Sequence, residues 1–89
     1  MKTLTNDSFR KLTKTEQVIL AINNGTDLMT RRDNGFDIHL FVVDGLLVEL
    51  WYKHGLENIV RVEITDIENV NRNYPELKNI ANDIKNIAQ

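Results

Sequence analysis

Cysteine is absent, proline occurs once and tryptophan once, and no apolar run is long enough to cross a bilayer. Without cysteine there is no disulfide framework and no thiolate metal site, which is compatible with a reducing cytosol. The longest apolar runs, such as Leu40 to Val43, fall far short of a membrane span. Residues Met1 to Phe9 show no apolar h-region and no small-residue cleavage site, which argues against a signal peptide and for a cytoplasmic protein. A strong excess of one charge is also missing. Net charge is −2, with six basic and four acidic groups in residues 1–35, two and five in 36–65, and three and four in 66–89. No segment carries the basic excess that phosphate binding demands, so nucleic acid is excluded as a first reading.

What is present is a regular punctuation. All four glycines stand ten residues apart, at Gly25, Gly35, Gly45 and Gly55, each preceded by Asn24, Asn34, Asp44 or His54. Glycine after Asn or Asp suits the primed turns that match strand twist, so the spacing predicts a β-meander. Four strands are expected at Thr26 to Arg32, Phe36 to Val43, Leu46 to Lys53 and Asn58 to Thr65. Before them, Thr13 with Glu16 makes a capping box that starts a helix near Lys14, and Asn23-Asn24-Gly25 stops it. Ser8 to Leu12 suggests a preceding helical turn, and Ile67 with Val70 another after the sheet. Pro75 suits the first residue of a last helix whose apolar stripe is Leu77, Ile80, Ala81, Ile84, Ile87 and Ala88. The fold class is therefore α+β in a single domain over residues 1–89: an N-terminal helix, a four-stranded antiparallel β-meander and a C-terminal helix. A chain of this size buries roughly 60 to 65% of its unfolded surface and folds without staples.

Counting inward from two-residue turns at Asn34-Gly35 and Asp44-Gly45 sorts the strands onto two faces. With an even third loop, the first face carries Met29, Arg31, Phe36, Ile38, Leu40, Val42, Leu47, Glu49 and Trp51, joined by Val60, Val62 and Ile64. It is nearly all apolar and is expected to take both helices; one helix on each face is the structural alternative. A one-residue slip in the last loop would move Val60, Val62 and Ile64 to the second face. The central hairpin is apolar on that second face too, through Phe41, Val43, Leu46, Val48 and Leu50. A solvated face of an antiparallel sheet reads polar, so something must cover these five residues, and a second copy of the chain is the simplest cover.

The same register gathers Arg32, Asp37, His39, Tyr52 and Arg61 into one polar patch on the second face. Two arginines beside a histidine could hold a carboxylate or phosphate. Cross-strand charge pairing on a wet face is the competing explanation, worth a fraction of a kcal/mol per pair. Asp37 and His39 are spaced for an orienting hydrogen bond, yet no Ser or Cys lies close in the expected sheet to act as nucleophile. His39 and His54 match no metal-ligand spacing, and neither metal nor cofactor is expected. Glu49, a lone acid among apolar neighbours, is expected to pair with Arg31 or to lie at the edge of the helix layer. Trp51 and Tyr52 face opposite sides of their strand and make no common platform.

Leu12-Thr13-Lys14-Thr15-Glu16, followed by Val18, Ile19 and Leu20, resembles the opening of a response-regulator type helix-turn-helix domain. After Gly25 the chain reads as strands, with no recognition helix and no basic stripe, so DNA binding is rejected. The run Gly45 to Tyr52, with Asn58-Ile59-Val60-Arg61-Val62, is similar to the central hairpin of small uncharacterised bacterial proteins, a resemblance that implies no activity. The functional expectation is a small non-enzymatic cytoplasmic interaction protein, a homodimer or a binder of another protein through Phe41, Val43, Leu46, Val48 and Leu50. The alternative is a small-anion binder or weak enzyme using the polar patch.

Overall fold

A computed structural model describes residues 4–55 and 57–77. Two helices open the chain, α1 (Asn6–Arg10) and α2 (Lys14–Asn24), and each starts at a threonine that closes a capping box. Thr13 Oγ1 accepts the Glu16 amide at 3.1 Å while Glu16 Oε1 accepts the Thr13 amide at 2.8 Å. Thr5 and Ser8 repeat the arrangement at α1. Such caps contribute about 1 kcal/mol each by satisfying amides that the helix cannot. At the far end of α2, Gly25 has an extended backbone, with φ −94° and ψ 170°, and not the left-handed turn of the other glycines. A Cβ there would collide with the Ala21 carbonyl and stand 2.9 Å from Val43 Cγ2, so glycine is required by the close approach of helix end and sheet.

The strands β1 (Thr26–Asp33), β2 (Phe36–Val43), β3 (Leu46–Lys53) and β4 (Ile59–Thr65) form one antiparallel sheet in sequence order. Asn34-Gly35 and Asp44-Gly45 both lie at positive φ, the backbone of a two-residue primed turn. They produce the expected pairings of Arg32 with Asp37, Asp37 with Tyr52, and His39 with Leu50. The protein is α+β with a β-meander. After the sheet come α3 (Ile67–Asn73), capped by Asp66, and a single 3-10 turn at Pro75–Leu77. The expected last helix is described only over that turn; its stripe from Ile80 to Ala88 lies outside the described residues.

Strand β4 departs from the expected register. Near the loop Tyr52 pairs with Ile59 as expected, but Trp51 pairs with Arg61, so Val60 is an extra, bulged residue. The bulge flips everything after it. Val62 and Ile64 point to the second face opposite Leu50 and Val48, while Arg61 and Glu63 point to the first. Without it Arg61 and Glu63 would lie under the helices, where unpaired charge is costly. A second irregularity at Leu28 in β1 lets Leu28 and Met29 both pack against the first-face core.

The helices divide between the two faces, against the expectation that both share one. On the second face α1 and α2 supply Phe9 and Ala21 to a core with Val43, Val48 and Leu50. On the first face α3 and the 3-10 turn supply Val70, Tyr74 and Leu77 to a core with Leu40, Val42 and Leu47. Burying each large apolar side chain contributes about 1.5–3 kcal/mol, which explains why a hairpin apolar on both sides is sandwiched. No helix among the described residues is long and apolar enough to cross a membrane.

Candidate functional site

The proposed contact centre on the second face lies inside the molecule. Val43, Val48 and Leu50 are each 0% exposed, and the half-buried Phe41 and Leu46 pack into the same cluster under α1 and α2. These five residues cannot form a flat docking face, because the chain's own helices already occupy it. The apolar surface has moved outward instead. Ile19 and Ile22 on α2 are 52% and 53% exposed, among the largest apolar exposures in the described chain. A groove of about 470 Å³ between α1 and α2 is lined by Ile19 itself with Leu4, Leu12 and Leu20, and by the polar Ser8, Glu16, Asn23 and Asn24.

Four of the five polar-patch residues do meet. Asp37 is their centre: Oδ1 accepts from Arg32 Nε at 3.1 Å and Oδ2 lies 3.0 Å from His54 Nδ1. The His54 bond, and then the Arg32 bond, hold the Asp37 carboxyl below its ordinary pKa. In the next row His39 Nδ1 is 3.1 Å from Thr30 Oγ1 and 3.6 Å from Asp27, and its ring packs edge-on to Tyr52 at 5.0 Å. Burial, with the nearby Asp27 charge, raises the Tyr52 phenol. Arg61 is not there, because the Val60 bulge sends it to the opposite face. His54, which the sequence analysis did not include in the patch, closes on Asp37 from the β3–β4 loop. Both oxygens of Asp37 are thus engaged by the chain itself, and the Arg32 side chain is 66% exposed. Pairs this wet contribute little and leave no preorganised anion seat.

The first face holds a polar cluster that the sequence reading reached only in part. Glu49 does pair with Arg31, at 3.3 Å, and its side chain is 7% exposed. Its second partner is Tyr74, whose hydroxyl donates to the same Oε2 at 2.6 Å. Burial, and then the bond to Glu49, push the Tyr74 phenol far above its ordinary range. Burial opposes the Arg31 charge, but the Tyr74 hydroxyl and Glu49 carboxylate outweigh it and raise its pKa. The Arg31 guanidinium carbon also lies 5.3 Å from the Tyr74 ring centre and 5.6 Å from that of Trp51. A single tyrosine before Pro75 breaks no periodicity, which is why Tyr74 gave no signal.

Next to this triad a cleft of about 340 Å³ opens between β3, β4 and α3, lined by Arg31, Glu49, Trp51, Arg61, Glu63 and Asn69 among others. Arg61 pairs with Glu63 and stacks 5.1 Å from the Trp51 ring centre. Arg31 Nε and Trp51 Nε1 are buried with no hydrogen-bond partner among the described residues. Those residues include no group of three or more His, Asp or Glu placed to hold a metal ion. No protein-family model, curated protein or solved structure matches the chain.

Proposed function

We propose that this chain is a small non-enzymatic cytoplasmic protein that acts by self-association, and that the contact is the outer surface of α1 and α2. The observation that carries the reading is the paired exposure of Ile19 and Ile22 beside the apolar groove of Leu4, Leu12 and Leu20. Ile19 also lines that groove, so the exposed residues and the groove make one apolar strip that a second copy related by a two-fold axis covers with its own. Partners that bury such side chains gain the same transfer free energy that drives the core. The non-enzymatic part of the proposal is supported by the chemistry around His39. The chain has no cysteine and its one serine, Ser8, is engaged with Thr5 in the α1 cap. The absence of cysteine supports a reducing compartment.

Size-exclusion chromatography with light scattering over a concentration series tests the reading. A dimer is expected for the natural chain, and a monomer with an unchanged circular dichroism spectrum for Ile19→Glu with Ile22→Glu. Val60→Glu, at the β4 bulge and outside the α1–α2 groove, is expected to remain dimeric. A natural chain that stays monomeric at high concentration, or an Ile19→Glu and Ile22→Glu variant that still dimerises, rejects the proposal.

A further inference from the structure

Two Asn-Gly pairs stand in this chain, and the fold treats them differently. Asn24 ends α2, where the Gly25 amide donates to the Ala21 carbonyl at 2.9 Å and a Cβ on Gly25 would stand 2.9 Å from Val43 Cγ2. That peptide is clamped between helix end and sheet. Asn34-Gly35 is instead the exposed turn from β1 to β2, with φ of 49° and 85°. A Cβ on Gly35 would find nothing within 4 Å, and β1 is an edge strand hydrogen-bonded to β2 alone. The Gly35 carbonyl accepts the His54 amide at 2.7 Å, while the Gly35 amide has no backbone acceptor among the described residues. A turn with few packed neighbours and a left-handed non-glycine residue opens locally at low cost.

We propose that Asn34 is a site of spontaneous covalent modification in the folded chain, deamidating to aspartate and isoaspartate while Asn24 is spared. The Gly35 nitrogen attacks Asn34 Cγ and gives its proton to solvent, and the side-chain amide leaves as ammonia. Water then opens the resulting succinimide at either carbonyl. Glycine at the attacking position matters because no Cβ crowds the approach. Asp44-Gly45 repeats the turn, with φ of 47° and 84°, but carries no amide nitrogen to expel, so it shares the geometry without the leaving group. At Gly25 the attacking nitrogen is held in the helix bond, and the peptide turns toward Cγ only if α2 frays from Val43. The isoaspartyl product adds one methylene to the backbone. A two-residue turn lengthened in this way no longer closes Asp33 on Phe36 or sets the Gly35 carbonyl under the His54 amide. It also places a new negative charge next to Asp33. The site is separate from the α1–α2 surface and does not depend on self-association.

The experiment ages the full natural chain in mildly alkaline buffer, folded and in urea, and follows both Asn-Gly pairs by peptide mass spectrometry with chromatography that separates aspartyl from isoaspartyl peptides. In the folded chain Asn34 is expected to convert at least about tenfold faster than Asn24, whose amide must first lose its hydrogen bond and its packing. In urea the two are expected to react at similar rates, because the folded backbone no longer distinguishes them. Aging is expected to lower the Tm of the natural chain and to leave that of Asn34→Gly unchanged, since Gly-Gly suits the same turn and has no amide to lose. The proposal is overturned if Asn24 reacts as fast as Asn34 in the folded chain, or if Asn34 stays intact there over a period that converts it in urea. An equal loss of Tm in Asn34→Gly overturns the effect assigned to the turn.

Discussion

Removing one oxygen from Tyr74 tests how the two layers of the first face are tied together. Tyr74 is 1% exposed, and its hydroxyl donates at 2.6 Å to Glu49, which is itself buried. Tyr74→Phe keeps the ring packed against Val70 and Leu77 and over Arg31, so only the hydrogen bond is lost. A hydrogen bond to a charged group contributes about 1.5–3 kcal/mol, and because Glu49 Oε2 keeps Arg31 as a donor the loss stays below the top of that range. In a domain of this size, about 2 kcal/mol lowers the Tm by about 8–16 °C. The assay is thermal and urea unfolding followed by circular dichroism, with the urea slope expected to stay constant because the exposed surface is unchanged. The partner variant is Glu49→Met. In that background Tyr74→Phe is expected to cost far less, since the hydroxyl no longer has a carboxylate to serve. A Tm for Tyr74→Phe within about 2 °C of the natural chain, or equal costs in both backgrounds, would refute the role given to this bond.

Deleting Val60 removes the bulge and leaves Ile59, Arg61, Val62 and Glu63 opposite Tyr52, Trp51, Leu50 and Glu49 in unbroken alternation, each on its present face. Cooperative unfolding is therefore expected to be kept, and Val60→Thr, at a position 46% exposed, is expected to change stability by no more than about 0.5 kcal/mol. A deletion variant that no longer unfolds cooperatively would show that Val60 is not the extra residue of β4. For Asp37, the folded carboxyl titrates below its unfolded value, held there first by His54 and then by Arg32. Its contribution to stability is therefore present above the unfolded carboxylate range and lost as pH falls through the folded value. Carbon-detected titration should show the Asp37 midpoint rising in His54→Ala and rising again when Arg32→Ala is added; an unmoved midpoint would dismiss the ion cluster.

The legible parts of this protein are the ones controlled by short-range chemistry. Thr13 with Glu16 marked the start of α2 because a capping box needs only four consecutive residues. Asn34-Gly35 and Asp44-Gly45 marked two turns because their backbone requires positive φ, and two-residue turns leave no freedom in the pairing that follows. Arg32, Asp37, His39 and Tyr52 were accordingly found together. Arg61 was misplaced by a single bulged residue that no local pattern announces, and with it went the composition of both polar sites. His54 and Tyr74 lie outside strands and regular helix turns, where side-chain direction does not follow from sequence position.

Residue pattern alone set out a meander of four strands, a hairpin apolar on both faces and the requirement that both faces be covered. What covers them is an outcome of long-range packing. Packing α1 and α2 on one side and α3 with the turn at Pro75–Leu77 on the other converts an apparent docking face into core, because burial within one chain forgoes the entropy that a partner must lose on association. The same packing brings Tyr74 to Glu49 across twenty-five residues of sequence and sets Arg61 beside Trp51. Those contacts depend on layer order and on one bulge, both long-range outcomes of minimising buried unpaired charge and exposed apolar surface together.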